Sequence, residues 1–218
     1  MDRRCARSCS LLALTTAALA TTVAPMFGGA ASAPAMPAAP VASTAPAQAM
    51  NWELDPVHCM AVFRIQHMGA GMFWGKFDEV TGTVSYPEDG SAAPEFNVSV
   101  KVDSVATGSD KLNKTLKGPQ FFNAKEWDSI TFKSTKAEKV GDKAWKVSGD
   151  LSLHGVTKPI EAMVDVTGVI GNPVQKKAGF EAVFEINRSD YGMEWGVKNK
   201  ALGDNVKMVV GLEGDWKR

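Results

Sequence analysis

One stretch in the middle of the chain decides the fold, and it runs Phe96-Asn97-Val98-Ser99-Val100-Lys101-Val102-Asp103. Apolar and polar residues alternate through it with a period of two. Side chains of a β-strand point to opposite faces in turn, so such a segment has one buried face and one wet face. The stretch is therefore predicted to be a strand that lies between a core and water.

The same alternation recurs from about Ala61 to Gly214, and about eight strands of this kind fit the length. It is clearest in three further segments: Trp145–Leu153, Phe180–Asn187 and Val206–Leu212. An antiparallel sheet of that size buries its apolar faces and loses its exposed edges when it closes into a barrel. The sequence thus predicts an all-β fold, an eight-stranded antiparallel barrel. The interior of such a barrel has room for packed side chains or for one small ligand.

Turn residues and breaks in the alternation place the individual strands. The first three are expected at Met60–His67, Gly75–Tyr86 and Phe96–Asp103. The other five are expected at Ser129–Thr135, from Gly141 to His154, at Lys158–Gly168, at Ala178–Asn187 and after Asp204.

A short helix is expected between strands three and four. The segment from Gly108 to Gly118 loses the period of two, and Leu112 and Leu116 lie one helical turn apart among Lys and Asn residues. This spacing is typical of a helix with one apolar face. We expect the helix to lie across a barrel mouth.

The N-terminus has the order of a secretory signal peptide. A basic start that includes Arg3 and Arg7 precedes an apolar run from Leu11 to Ala20, and small-residue sites follow. The run is shorter than the ~20 apolar residues that span a bilayer. We expect residues 1–33 to be a signal peptide, with the mature protein periplasmic or secreted. An uncleaved anchor is the alternative, because Thr21–Phe27 extends the run.

Residues 34–50 are dominated by Ala and Pro, and such a segment buries too little surface to offset its ordering entropy. We expect a disordered spacer there and one folded domain at 51–218. Without the leader the chain carries 21 basic and 23 acidic residues. A net charge of about −2 with no basic stripe argues against a nucleic-acid partner. Cys59 would be the one cysteine left, so no internal disulfide is expected.

The sequence offers no recognisable catalytic or metal-binding motif. The histidines are His58, His67 and His154, and none forms a paired motif of ligand spacing with a carboxylate. No serine or cysteine sits in a recognisable nucleophile setting. We therefore expect no metal, no cofactor and no catalysis. An enzyme acting on a lipid would need a titratable pair at the barrel mouth, such as His67 with Asp190 or Asp110.

The segments read together resemble the YceI-like family of lipocalin-like, polyisoprenoid-binding proteins. The most specific piece runs from Gly149 to Ile160 and contains Leu153-His154-Gly155-Val156-Thr157-Lys158-Pro159. Further matching pieces occur in the correct order: Trp52–His58, Gly75–Phe77, Ser104–Gly108, Phe121–Ala124, Ile130–Ser134, Arg188–Met193 and Leu202–Asp204. The resemblance covers nearly all of Asn51 to Gly214.

The resemblance implies an exported, non-catalytic binding protein that holds a long apolar ligand, an isoprenoid lipid or an isoprenoid quinone. Pockets of this kind have mostly apolar walls. The expected apolar walls are Phe63, Ile65, Phe77, Val98, Val100, Phe132, Val147, Phe180, Phe184 and Met208. His67 is expected on the same inner face, and Met68, Met72 and Met193 are expected to form an adaptable entrance.

Besides the binding protein and the lipid-acting enzyme, one further interpretation remains open on the sequence alone. The same apolar residues are equally consistent with a barrel packed solid, because alternation does not distinguish a filled interior from a hollow one. Such a protein would be a structural or interaction module, with Trp52, Trp127, Trp195 and Trp216 forming an exposed patch. The partner expected for the binding protein is a hydrophobic small molecule. The sequence is also compatible with a transient membrane contact and with a homodimer.

Overall fold

The structure is a computed structural model, and it describes residues 48–172 and 175–216. The expected signal peptide and nearly all of the expected spacer lie outside these residues. No helix within the described ranges is long and apolar enough to cross a membrane.

Eleven strands and one α-helix make up the described fold, with two short 3-10 turns at Val102–Ser104 and Arg188–Tyr191. The helix α1 spans Asp110–Leu116. The strands are β1 Met50–Leu54, β2 Met60–His67, β3 Gly71–Phe77, β4 Val80–Tyr86, β5 Glu95–Lys101, β6 Val105–Ala106, β7 Ser129–Lys139, β8 Ala144–Leu153, β9 Val156–Gly171, β10 Lys176–Asn187 and β11 Leu202–Trp216.

The eleven strands form one closed antiparallel barrel with eight strand positions. β11 is long enough to pair with β2 over Leu202–Gly211 and with β1 over 214–216, so β1 and β2 follow one another along a single position. β3 and β4 share the next position, since β3 pairs with β2 and β4 with β1. β5 and β6 share the third, and β7 to β11 supply the other five. The prediction of an eight-stranded antiparallel barrel is confirmed.

The strand boundaries differ from expectation in the first part of the chain. β1, which begins at Met50, was not expected, and β3 and β4 are two strands where one was expected from Gly75 to Tyr86. The helix was expected between strands three and four, but it follows the fifth strand, β5, and the two-residue β6. Both differences arise because the first barrel positions are each divided in two, which alternation alone did not reveal.

The two halves of the barrel interior are built differently. We call the end near α1, where β7 begins and β8 ends, the mouth, and the opposite end the base. Near the base the interior is packed solid: Trp52 is fully buried and its Nε1 donates to the carbonyl of Tyr86 at 2.9 Å. The ring of Phe180 meets those of Tyr86 and Phe96 edge-on, at 5.7 and 5.5 Å between centroids. These aromatic side chains close the base.

Candidate functional site: an apolar cavity behind the barrel mouth

The mouth half of the barrel contains a cavity of about 480 Å³. Ligand pockets for small molecules usually measure ~300–1,000 Å³, so this volume suits a ligand rather than a packing defect. Its walls are overwhelmingly apolar, and the polar lining residues are His67, Thr115, Gln120, Thr131 and Arg188. Along β2 the lining runs from Ala61 to His67, about 20 Å at ~3.3 Å per residue. The cavity is therefore elongated along the barrel wall.

Nine of the twelve residues proposed from the sequence lie along this cavity. They are Phe63, Ile65, His67, Phe77, Val98, Val100, Phe132, Phe184 and Met208. Each projects inward because its strand places every second side chain on the inner face. Their role as ligand contacts remains a prediction.

The other three proposed residues do not line the cavity. Val147 and Phe180 are buried in the packed base, where Phe180 contacts Tyr86 and Phe96. Met72 lies on the outer face of β3 and is half-exposed. Val147 and Phe180 share the inner face with cavity residues but lie nearer the base, and position along the barrel axis is invisible to a period-two pattern.

Residues 107–127, which we call the cap, cover the mouth. The N-terminus of α1 is capped by Ser109, whose Oγ accepts a hydrogen bond from the Leu112 amide. The Oδ1 of Asn113 accepts from both the amide and the hydroxyl of Thr107, at 2.9 and 2.7 Å, and so ties α1 to the end of β6. The cap is thereby fixed to the barrel at its start.

The cap contributes cavity walls that the list of expected site residues omitted. They are Leu112, Thr115, Leu116, Gln120, Phe121 and Phe122. Leu112 and Leu116 were identified as the apolar face of a helix, and that spacing was the available signal for their role. Phe121 and Phe122 lie in an irregular segment that carries no periodicity. Their adjacency in a polar stretch and their place in the piece Phe121–Ala124 that resembles the YceI-like family were the available signals.

Arg188 is a buried cation on the wall of this cavity. Its Nε donates to the carbonyl of Gly203 at 2.7 Å and its Nη1 to that of Met193 at 2.6 Å. Its Nη2 donates to the carbonyls of Trp195 and Leu202, at 2.6 and 3.2 Å. Burial lowers the pKa of this guanidinium, and the nearby charge of Asp204 acts against that shift. Through these four hydrogen bonds, the guanidinium of Arg188 holds the loop between β10 and β11 against the mouth.

The loop that Arg188 holds supplies further walls near the mouth, among them Met193 and Trp195. The ring of Trp195 lies 5.4 Å from that of Phe121, so the loop and the cap meet there. Met193 was expected at an entrance and does line the cavity. The structure thus has two covers over one opening, the cap and this loop.

The expected tryptophan patch does not form. Trp52 is fully buried in the base, while Trp195 is nearly half-exposed at the mouth. The ring of Trp127 contacts that of His154 at the turn between β8 and β9, with centroids 4.2 Å apart and ring planes inclined at 59°. Trp216 pairs in register with Trp52 at the base and is partly buried there, so the four tryptophans are divided between the base and the mouth and form no common exposed patch.

The catalytic pair considered from the sequence gains no geometric support. His67 is exposed at the end of β2, where it lines the cavity. The Asp190 carboxylate instead accepts a hydrogen bond from Lys158 at 3.0 Å, on the outside of the barrel. Asp190 is thus engaged by a lysine in a surface groove whose lining does not include His67.

A cluster of charged groups that the sequence analysis overlooked lies on the barrel wall at the turn between β1 and β2. The ligand atoms of Asp55, His58 and Glu213 all lie within 4.8 Å of one another. The Nζ of Lys177 lies 2.7 Å from Glu213 and 3.6 Å from Asp55. This ammonium already supplies the positive charge that a metal ion would bring, so the cluster is a network of ion pairs. The hydrogen bond that the His58 ring donates to the Asp55 carboxylate raises the pKa of His58.

Comparison with known proteins agrees with this architecture. The family model described as the YceI-like domain matches residues 52–214. Protein YceI of Escherichia coli O6:H1 is 32% identical over 175 residues, which cover 79% of this chain and 90% of that protein. Protein YceI of Salmonella arizonae is 31% identical over the same length.

Solved structures show the same fold. A Campylobacter jejuni YceI protein superposes with a TM-score of 0.64 at 25% identity, covering 70% of this chain and 90% of that one. A polyisoprenoid binding domain from Saccharophagus degradans gives 0.59 at 18% identity, covering 77% and 99%. At that identity the second likeness supports the fold alone. The family model matches residues 52–214, and the curated relatives are more than 30% identical over most of their length. On this basis the chain belongs to the YceI-like family.

Proposed function

We propose that this protein is a non-catalytic carrier that holds a long apolar ligand of the isoprenoid class, a lipid or a quinone, in the cavity behind the barrel mouth. The observation that carries the proposal is the division of the interior. The base is packed by Trp52, Tyr86 and Phe180, and the mouth half is hollow. Protein interiors are normally close-packed, so a barrel that served only as a scaffold would be expected to fill that half with side chains as well.

The composition of the cavity supports an apolar chain as the occupant. Phe63, Phe73 and Phe77 form one part of its wall, aliphatic residues of the adjacent strand β11 continue it, and aliphatic residues of β9 form another part. Burying a methylene group is worth ~0.8 kcal/mol, so a long chain gains affinity from its length without specific contacts. The Saccharophagus degradans neighbour is described as a polyisoprenoid binding domain, which supports the same ligand class here.

Export is part of the proposal, since the basic start, apolar run and small-residue sites occur in the order of a signal peptide. N-terminal sequencing of protein from the extracytoplasmic fraction tests it. A start within about residues 20–34 is expected, whereas an intact Met1 in a cytosolic pool contradicts export.

The ligand is tested by native mass spectrometry and lipid extraction of the purified protein, with Val100→Trp as the blocking variant. Val100 lines the cavity between Val80 of β4 and Ile130 of β7. An indole there is expected to occupy the cavity and abolish isoprenoid retention while the protein stays folded. Val140→Trp is the matched control, because Val140 is exposed in the turn between β7 and β8. A wild-type protein that never retains an isoprenoid contradicts the proposal.

A further inference from the structure

Four large apolar side chains lie exposed at the mouth of the barrel. The exposed fractions are 65% for Met68, 52% for Met72, 52% for Trp74 and 47% for Trp195. We call these four residues the rim. Isolated exposed apolar side chains are ordinary on a protein surface, but a group of large ones at one place marks an interaction site. The rim is therefore a candidate docking surface.

Strand pairing gathers the rim residues around the opening. Met68 follows His67, which pairs with Gly71 of β3 and with Leu202 of β11. The amide of Met68 donates to the carbonyl of Ala201 at 3.0 Å, which brings the turn between β2 and β3 to the loop that carries Trp195. Met68 follows the cavity residue His67 in the sequence, and Met72 and Trp74 flank the cavity residue Phe73. Trp195 lines the cavity itself. The rim and the cavity are thus continuous.

The barrel wall is also incomplete beside the rim. β3 pairs with β2 along its whole length, but within the described residues its other edge pairs with β6 only at Lys76 and Phe77. Residues 71–75 therefore present an edge without a strand partner on the side of the cap. Phe122 of the cap contacts Phe63 and Phe77 just inside this edge. A chain that entered between β3 and the cap would pass Met72 and Trp74.

The charges around the rim favour an anionic surface. Residues 60–78 and 103–127 carry six basic and four acidic residues, two of which, Asp78 and Asp103, pair with Lys76 and Lys117. This part of the protein is net positive, although the chain beyond the expected leader is net negative. Arg64 lies over the ring of Trp74 at 5.7 Å from the centroid, so a cation and an aromatic ring are presented together. Apolar side chains flanked by Lys and Arg are the combination that binds the interface of a bilayer with anionic lipids.

We propose that the rim docks on the surface of an anionic lipid bilayer, and that the apolar ligand passes between bilayer and cavity through this contact. A long apolar chain that leaves a bilayer through water exposes its whole length, whereas a rim inserted in the headgroup region offers a continuous apolar path. The path for the ligand rests on the proposed carrier function; the docking contact itself does not.

The test is co-sedimentation of the purified protein with vesicles of phosphatidylglycerol and phosphatidylcholine, and with vesicles of phosphatidylcholine alone. Wild type is expected to bind the anionic vesicles more tightly, with binding that weakens as salt is added. The double variant Met72→Ser, Trp74→Ser is expected to reduce the partition coefficient by roughly tenfold or more. Ile170→Ser is the matched control and is expected to bind like wild type, because Ile170 is 70% exposed at the base.

The outcomes separate the two proposals. Absence of wild-type binding to anionic vesicles overturns the docking proposal, and so does equal binding by the rim variant. A wild-type dimer that the rim variant dissociates also overturns it, because the rim would then be covered by a second copy. Melting curves for each variant exclude loss of fold as the cause of weaker binding. Isoprenoid retention is measured on the same samples. Retained ligand without vesicle binding contradicts only the docking proposal. Rim-dependent vesicle binding without retained ligand contradicts only the proposed carrier function.

Discussion

The ring of Phe122 meets the ring of Phe77 edge-on, with their centroids 5.2 Å apart. Phe77 belongs to the barrel wall and Phe122 to the cap, so this pair joins the cap to the wall. Phe122 also lies 6.2 Å from Phe63, on the adjacent strand. The cap therefore covers the mouth by inserting an aromatic side chain among the aromatic side chains of the wall.

Phe122→Ala is expected to speed ligand release. An aromatic pair contributes about 0.5–1.5 kcal/mol beyond its buried area, so losing two such pairs should raise the release rate roughly tenfold or more. Stopped-flow displacement of a fluorescent polyisoprenoid analogue measures this rate. Lys125→Ala, on an exposed position of the same cap, is the control and should leave the rate unchanged. Equal release from the Phe122 variant and from wild type would mean that the cap does not limit exchange.

Phe180→Ala and Phe184→Ala should differ in their effect on stability although both residues lie on the inner face of β10. Phe180 is 2% exposed and packed among aromatic rings in the base, so its truncation should cost about 3–5 kcal/mol. Phe184 already borders empty space, loses fewer contacts and should cost less. Urea denaturation of ligand-free protein compares the two. A larger loss for Phe184 than for Phe180 would contradict the division into a packed base and a hollow mouth half.

The contrast between these two phenylalanines also marks the limit of what the sequence reveals. Alternation in Phe180–Ile186 predicts a strand and assigns both rings to the interior, which the structure bears out. Four residues along a strand amount to ~13 Å, and that displacement separates the base from the cavity. The depth of a side chain in the barrel depends on how β1 closes against β11, and the five-residue strand β1 was not expected from the alternation.

The same closure explains why the charged cluster escaped notice. Asp55 and His58 lie in the turn after β1, whereas Glu213 and Asp215 lie more than 150 residues later on β11. The pairing of Leu54 with Gly214 brings them together. Local motifs identify neighbours along the chain, but a long-range register has to be known before such a cluster can be assembled. The cap, by contrast, was anticipated in part because the Leu112 and Leu116 spacing is local.

Gly82→Ala should destabilise the protein more than Gly75→Ala. Gly82 has a φ of +136°, and a Cβ there would lie 2.1 Å from the backbone carbonyl oxygen of Asn97. The strained backbone alone should cost about 1–3 kcal/mol. A Cβ on Gly75 would meet the end of the Phe63 ring at 2.2 Å, but that ring borders the cavity and can turn into it.

Gly75→Ala is therefore expected to keep most of its stability and lose affinity for ligand, because the displaced Phe63 ring takes up cavity volume. Thermal melting and isoprenoid retention, measured on both glycine variants, separate the two effects. Equal destabilisation by both substitutions would show that Phe63 has no room to move.

Arg188→Met should loosen the loop that covers the mouth. The substitution leaves the carbonyls of Met193, Trp195, Leu202 and Gly203 without their common donor. A buried polar group left unpaired costs about 1–3 kcal/mol, although solvent entering the opened loop offsets part of this. Hydrogen exchange should accelerate between Met193 and Gly203. Lys158→Met, which removes an exposed pair with Asp190, is the control and should change stability by less than about 1 kcal/mol.

The ion pair of His58 with Asp55 should make stability depend on pH. The Nδ1 of His58 and the Oδ2 of Asp55 lie 2.7 Å apart. The hydrogen bond that Asp55 accepts from His58 raises the pKa of His58 above 6.5 and lowers the pKa of Asp55 below 3.8. The raised pKa stabilises the fold below pH 6.5 and ceases to do so as the pH rises through the folded value. The lowered pKa of Asp55 stabilises the fold above pH 3.8 and ceases to do so as the pH falls through its folded value.

Both contributions coexist between about pH 4 and 6.5, and that is where His58→Gln should lower the melting temperature most. The effect should be small, because the His58 side chain is more than half exposed and Lys177, Glu213 and Asp215 surround the pair. It should fade as the pH rises through the raised folded pKa of His58, above which the imidazole is neutral in both the folded and the unfolded protein. Val57→Ser, which changes the same turn without a titrating group, should shift the melting temperature equally at every pH. A His58→Gln difference that stays constant from pH 4 to 9 would show that the pair contributes nothing through its charge.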